Sequence, residues 1–141
     1  MKFIDLSADF RIKDKKVFKK YYGFEHQAKN LLKSSIYSIS EFVKNEIKHK
    51  KIIACPGCYP TSIQLPLIPL LKKNLIKKDN IIIDSKSGFS GAGKNLKDKF
   101  KHKNLFSAIH PYGISFHRHQ GEIDQELFKT AKSKVIYSFT P

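Results

Sequence analysis

Short hydrophobic runs alternate along the chain with longer segments of helical spacing. Runs of aliphatic and β-branched residues predict strands at four places: residues 2–6, 51–54, 81–84 and 135–139. The first and the third of these runs are apolar enough to predict buried strands. Strands that alternate with helices in this way are typical of α/β and α+β proteins.

Three segments have the spacing of amphipathic helices. Ser40 can cap a helix over residues 41–50, a second helix is predicted directly after Cys58, and a third lies within residues 121–132. The third helix carries Ile123, Leu127 and Phe128 as its apolar residues.

Two regions are harder to assign from the pattern. Pro66 and Pro69 lie inside the second helix, and because each removes an amide donor we expect a kink or a break there. Residues 13–33 are rich in aromatic side chains without a clear period, which suggests a packed loop and leaves the assignment open.

The charge balance of the 141-residue chain is strongly basic, with 27 Lys and Arg against 12 Asp and Glu and a formal net charge of +15. Only Arg11 and Arg118 are arginines, and the lysines are spread over the whole sequence. Nucleic-acid sites usually concentrate arginine on one face, so we expect no specific nucleic-acid binding. A field of this sign instead attracts phosphorylated, anionic small molecules.

The cysteine count and the hydrophobic runs bear on location. Two cysteines make no disulfide framework. No apolar run reaches the roughly 18 residues of a membrane span, and we expect no membrane association. A reducing cytoplasm is the expected location.

Cys58 is the candidate nucleophile. It lies where a predicted strand is followed by a predicted helix, so the unpaired amides and positive dipole end of that helix would favour its thiolate. The alternative is a small buried apolar cysteine. The surrounding Gly-Cys-Tyr-Pro-Thr sequence favours the nucleophile.

His117 and His119 supply imidazoles that can act as acid or base. If this stretch is extended, both histidines lie on one side and Arg118 on the other. Glu122 follows closely and can orient one imidazole, which completes a set of thiol, base and orienting carboxylate. Exposed polar histidines and a helix-start acid are the alternatives, and the sequence does not rank the two histidines.

A glycine-rich loop follows the strand predicted at residues 81–84. It offers three glycines, a hydroxyl donor and a cation: Gly88, Gly91, Gly93, Ser90 and Lys94. Glycines let the backbone approach a phosphate closely, and the loop is therefore a candidate phosphate site. A plain flexible turn is the alternative. We expect residues 95–104 to be exposed.

Other groupings of the same residues suggest other functions. Residues 88–94 match the spacing of a P-loop, yet Asn95 stands where Ser or Thr is needed to hold Mg²⁺. Cys55 and Cys58 have the spacing of a thioredoxin-like redox motif. The same cysteines and the two histidines could be zinc ligands, although His-x-His is tight for a structural site, and we expect no metal. A non-catalytic basic module that binds RNA or a partner is a further alternative.

Four stretches of the chain occur in a recognisable order. They are Asp5-Leu-Ser-Ala-Asp-Phe-Arg11, Ala54-Cys-Pro-Gly-Cys-Tyr-Pro-Thr61, Ser87-Gly-Phe-Ser-Gly-Ala-Gly-Lys94, and Pro111-Tyr-Gly followed by His117-Arg-His-Gln-Gly-Glu-Ile123. Together they resemble the N-acetyl-γ-glutamyl-phosphate reductase family, and the resemblance covers essentially the whole chain.

The resemblance implies NADPH-dependent reduction of N-acetyl-γ-glutamyl phosphate to the semialdehyde, with phosphate release, in arginine biosynthesis. It implies that Cys58 attacks the acyl phosphate and that one of His117 and His119 handles the proton. Arg118 and Glu122 would bind the substrate. The contacts to the nicotinamide end of NADPH would come from four loop residues: Ser90, Gly91, Ala92 and Gly93.

The resemblance also implies two incomplete domains and a homo-oligomer in the full-length enzyme. Residues 1–57 would be the end of a Rossmann-type NADP-binding domain. Residues 58–141 would be the first part of a glyceraldehyde-3-phosphate-dehydrogenase-like catalytic and dimerisation domain. The family's first phosphate-binding strand, loop and helix has no counterpart before Asp5, so we expect the chain alone to be inactive. Cys55 stands where the family usually has Asn, and it could form a strained disulfide with Cys58.

Overall fold

The computed structural model describes residues 1–37, 39–88, 91 and 107–141. Its first part contains a parallel sheet of three strands: β1 (Phe3–Asp5), β2 (Ser35–Tyr37) and β3 (Ile52–Ala54), in the order β1-β3-β2. Ala54 at the end of the central strand is paired with Asp5 on one side and Tyr37 on the other. The carboxyl ends of the three strands therefore meet at one edge, where open parallel sheets bind ligands.

A helix that we did not predict from the sequence, α1 (Lys15–Tyr22), lies between β1 and β2. The Asp14 carboxylate caps it by accepting two backbone amide hydrogen bonds at 2.7 and 3.0 Å. Gly23 ends it in the left-handed conformation, at φ 81°. Phe18 is the buried residue on the apolar face of this helix. The packed loop suggested for residues 13–33 is therefore wrong over residues 15–22. The capping residues Asp14 and Gly23 were the local sequence signal for the helix.

The carboxy-terminal part combines two helices with a second parallel pair of strands. The elements are α2 (Cys58–Lys72), β4 (Ile81–Asp84), α3 (Gln120–Ala131) and β5 (Tyr137–Thr140). They share one core, which includes Ile63, Leu71, Ile83, Ile123, Leu127 and Phe139. Parallel strands and helices in this order confirm the expected α/β class. Within the described ranges, no helix is long and apolar enough to cross a membrane.

The predicted helix over residues 41–50 is wrong. Two single turns of 3-10 helix, Ser40–Phe42 and Ile47–His49, replace it. The ammonium group of Lys2, next to β1, binds carbonyl oxygens at the end of the second turn at 3.1 and 3.3 Å. The helical spacing of residues 41–50 is therefore not realised as an α-helix, and the ammonium group caps the carbonyl end of the second turn.

The expected break in α2 is also wrong, because the helix runs through both Pro66 and Pro69. The two prolines are exposed, and so are Ser62 and Leu65, the residues four positions earlier whose carbonyl groups lose an amide partner. Water can reach those carbonyl groups, while the opposite face of the helix packs on α3. Tertiary packing stabilises the helix despite the two missing donors.

Two strands predicted to be buried are open on one face. In β1, Phe3 and Ile4 are exposed, because this strand lies at the edge of its sheet. In β4, Ile82 is 84% exposed, because the helices cover only the face that carries Ile83. Phe128 of α3 likewise points away from the core. The strand positions are confirmed, whereas the burial of their outer residues is wrong.

Candidate active site

Cys58 is the first residue of α2 and is exposed to solvent. Gly57 before it is extended, with φ −66° and ψ 166°, and no side chain caps the helix. The free amides and the positive dipole end of the first turn therefore lie beside the thiol. The amide of Cys55 donates to the carbonyl oxygen of Asp5 at 2.8 Å, which ties this segment to the carboxyl edge of the first sheet. The predicted helix start at Cys58 is confirmed.

Glu122 holds the Cys58 turn from the interior and is fully buried. One of its carboxylate oxygens accepts hydrogen bonds from the Gly57 amide and the Tyr37 hydroxyl, both at 3.0 Å. The other oxygen pairs with the Arg11 guanidinium group at 3.3 Å. A single carboxylate on α3 thus connects the turn, the end of β2 and the segment after β1.

The protonation of this cluster follows from its burial. Burial raises the pKa of Glu122, while Arg11, the Gly57 amide and the Tyr37 hydroxyl favour the ionised form. Burial, together with the Glu122 charge, raises the pKa of Tyr37 far above its usual value, so its hydroxyl stays a donor. From the sequence we expected Glu122 to meet an imidazole or the substrate, and the structure places it among interior partners instead. We missed Arg11 and Tyr37, although Arg11 is one of only two arginines.

His119 supports the same turn from another side. A Cβ atom added to Gly57 would lie 2.6 Å from Nε2 of His119, so residue 57 must be glycine although its φ is ordinary. The ring is buried, and its Nδ1 has no hydrogen-bond partner among the described residues. Burial, helped by the charges of His117, Arg118 and Arg11, lowers the pKa of His119 to about 3. The ring is therefore neutral at neutral pH.

His117 lies next to His119, with 4.8 Å between the ring centroids. The backbone amide of His119 donates to Nδ1 of His117 at 3.2 Å. Because Nδ1 accepts, the proton of the neutral ring is carried by Nε2. Burial and the charge of Arg118 lower the pKa of His117. His117 is thus a neutral hydrogen-bond donor through Nε2.

The His117 to His119 stretch is a turn that enters α3, not the extended segment we considered. Both histidines are nevertheless buried on one side, and Arg118 between them is exposed. The turn places the imidazoles beside Gly57 and beside Tyr59, whose ring centroid lies 5.4 Å from that of His117. The structure therefore brings both imidazoles against the residues on either side of Cys58.

The glycine-rich loop is described only in part. Of the four expected NADPH contacts, Gly91 is exposed, and its amide donates to the carbonyl oxygen of Gly88 at 2.9 Å. The other three expected contacts lie outside the described residues, as do the loop cation and the segment expected to be exposed: Ser90, Ala92, Gly93, Lys94 and residues 95–104.

The side chains that could form a zinc site or a redox pair, Cys55, Cys58, His117 and His119, all lie in the described part of the chain. Among the described residues, no group of three or more His, Cys, Asp or Glu side chains could hold a metal ion. Cys55 is half-buried, Cys58 is exposed, and both are free thiols.

One protein family and several individual proteins are similar to the chain. Residues 58–141 match the family described as semialdehyde dehydrogenase, dimerisation domain. A probable chloroplastic N-acetyl-gamma-glutamyl-phosphate reductase of Oryza sativa subsp. japonica is 50% identical over 141 residues, which is 100% of this chain and 34% of the relative. The N-acetyl-gamma-glutamyl-phosphate reductase of Alkaliphilus metalliredigens is 50% identical over 138 residues, 98% of this chain and 40% of the relative. The N-acetyl-gamma-glutamyl-phosphate reductase of Afipia carboxidovorans is 45% identical over 140 residues, which is 99% of this chain and 40% of the relative.

The chain thus spans between 34% and 40% of the length of these three relatives. Within that span the match to the Oryza sativa relative covers the whole of this chain. The resemblance seen in the sequence is confirmed. The chain belongs to the semialdehyde dehydrogenase family, and its relatives are N-acetyl-γ-glutamyl-phosphate reductases.

Proposed function

We propose that this chain is the nucleophile-bearing part of an enzyme that reduces N-acetyl-γ-glutamyl phosphate with NADPH, releasing phosphate, in arginine biosynthesis. The observation that carries the proposal is the convergence of Cys58, His117 and His119 on the turn at Gly57. The substrate is the one for which the relatives are named.

The domain assignment is part of this proposal. The parallel sheet, whose three strands end at one carboxyl edge, supports residues 1–57 as the end of a Rossmann-type domain. Residues 58–141 would begin the glyceraldehyde-3-phosphate-dehydrogenase-like catalytic domain. The dimerisation-domain match supports a homo-oligomer, which sedimentation analysis would reveal. The two free thiols suit a reducing compartment such as the cytoplasm.

Cys58 is assigned the nucleophilic role. Its thiolate attacks the carbonyl carbon of the acyl phosphate, a thioester forms, and phosphate leaves with the electron pair of the broken C–O bond. The exposed position at the start of α2 leaves the sulfur open to substrate. We assign Arg118, which is exposed, to bind a carboxylate or phosphate group of the substrate.

The two histidines receive different roles. His117 donates a hydrogen bond from Nε2 to the substrate oxygen that gains negative charge, because its Nδ1 is already an acceptor. His119 is neutral and buried against Gly57, and it keeps the turn in place. From the resemblance we expected one of the two histidines to transfer a proton. We now assign His117 the role of a hydrogen-bond donor instead.

Two features of the chain support the proposed binding of a nicotinamide dinucleotide. NADPH, when bound, supplies the hydride that reduces the thioester. Ser87, Gly88 and Gly91 are exposed beyond the carboxyl end of β4, and the Ser87 hydroxyl is hydrogen-bonded to Tyr59, the neighbour of Cys58. The net charge of +15 suits the phosphate groups of the nucleotide.

We expect iodoacetamide to alkylate Cys58 at least about tenfold faster than Cys55 at neutral pH, because an exposed thiol at a helix start is more reactive than a half-buried one. Peptide mass analysis of the intact chain over a time course measures both rates. The Cys55→Ser and Cys58→Ser variants assign the two phases. Equal and slow labelling of both thiols would contradict the proposed nucleophile.

We expect His117→Ala to lower kcat about 10²-fold to 10³-fold, as the loss of one oxyanion donor does in other enzymes. His117→Gln places an amide N–H near the position of Nε2 and should recover part of that loss, with an unchanged pH profile. Steady-state kinetics of the complete protein that contains residues 1–141 provides the measurement. If the glutamine variant is as slow as the alanine variant and the pH profile loses a limb, His117 transfers a proton instead.

A further inference from the structure

Tyr59 contacts several parts of the site with one side chain. Its ring is 3% exposed and meets the rings of His117 and His119 nearly edge-on, at centroid distances of 5.4 and 6.0 Å. Its hydroxyl donates to Oγ of Ser87 at 2.9 Å and accepts from the Tyr112 hydroxyl at 3.0 Å. The polar end of this buried tyrosine is therefore fully used.

Ser87 connects the tyrosine to the glycine-rich loop. It lies three residues beyond the end of β4, at the start of that loop, and it is exposed. A Cβ atom added to Gly91 would lie 3.4 Å from Oγ of Ser87, so the two residues are packed together. The hydrogen bond from Tyr59 thus ties a surface loop to the buried core beside Cys58.

Tyr112 connects the same hydroxyl to the loop before the histidines. Its ring centroid lies 5.5 Å from that of His117. The series of hydroxyls from Tyr112 through Tyr59 to Ser87 therefore joins the histidine loop, the first turn of α2 and the glycine-rich loop. Tyr59 is the central member of this series and directly follows Cys58 in the sequence.

We propose that Tyr59 is a positioning residue whose hydroxyl, through Ser87, holds the start of the glycine-rich loop in place relative to Cys58 and the two histidines. The inference rests on the proposed function, in which this loop binds the nicotinamide end of NADPH. Tyr59 then determines affinity for the nucleotide without touching the reacting atoms.

The test is a double-mutant cycle on the complete protein that contains residues 1–141. Tyr59→Phe keeps the ring and removes only the hydroxyl, and we expect the KM for NADPH to rise about fivefold, with kcat within about twofold. Ser87→Ala should give a similar rise. The double variant should be no worse than either single variant, because both remove the same hydrogen bond. Tyr137→Phe is the matched control, since its hydroxyl binds exposed Asp124 outside the site, and it should leave both constants unchanged.

The possible outcomes separate the two proposals. If the wild-type protein shows no NADPH-dependent turnover, the proposed function fails and the role of Tyr59 fails with it. If the wild type is active but the two single effects on KM multiply in the double variant, the positioning role is wrong and the proposed function stands. A fall in kcat at unchanged KM would also overturn the role, because the tyrosine would then act on the chemical step.

Discussion

The Cys58→Ser variant is expected to lose NADPH-dependent turnover by about 10³-fold or more, while its fold is unchanged. A serine hydroxyl is close to a thiol in size but is a much weaker nucleophile at neutral pH, and without the sulfur no thioester can form. The side chain is exposed, so the substitution leaves no cavity. The measurement is NADPH oxidation with N-acetyl-γ-glutamyl phosphate, made on the complete protein that contains residues 1–141.

Cys55→Ser is the matched control for this experiment. Cys55 is half-buried, and its backbone amide, not its side chain, makes the bond to Asp5. We expect its turnover to stay within about fivefold of the wild type, since the cost of burying a hydroxyl at this position is small. If Cys55→Ser were inactive and Cys58→Ser active, the nucleophile would be assigned to the wrong cysteine.

Glu122→Ala is expected to lower the free energy of unfolding by about 3–5 kcal/mol. The substitution removes the shared acceptor of the partly buried Arg11 guanidinium group and of the buried Gly57 amide and Tyr37 hydroxyl. Loss of a partner from a buried ionic cluster costs more than loss of an exposed ion pair. Urea denaturation followed by circular dichroism measures the change.

Two variants on α3 control for other causes of this loss. Glu122→Gln keeps one oxygen as acceptor for Gly57 and Tyr37 and turns an NH2 group, in place of the second carboxylate oxygen, toward Arg11, so we expect about half the cost of the alanine variant. Lys129→Ala removes an exposed side chain from the same helix and should change stability by less than about 0.5 kcal/mol. Equal stability of Glu122→Ala and wild type would show that the carboxylate does not hold the turn.

Local sequence patterns predicted the elements that carry the site. The aliphatic run before Cys55 and the apolar spacing after Cys58 correctly placed β3 and α2, and the segment after Gly121 correctly placed α3. The same reasoning failed over residues 41–50, where the ammonium group of Lys2 binds the carbonyl groups of a 3-10 turn. Helical spacing is a local property, and the tertiary context of a segment can override it.

The sequence by itself determined that Cys58 begins a helix, and its stretches of family resemblance singled out the histidines and Glu122. Only the tertiary structure decided what Glu122 does, because Arg11 lies 111 positions away along the chain, Tyr37 lies 85 away and Gly57 lies 65 away. Only the structure separated the two imidazoles, since the amide of His119 occupies Nδ1 of His117 and Gly57 lies against His119. Periodicity and composition report neighbours in sequence, whereas hydrogen-bond partners and burial depend on the register in which separate strands and helices pack.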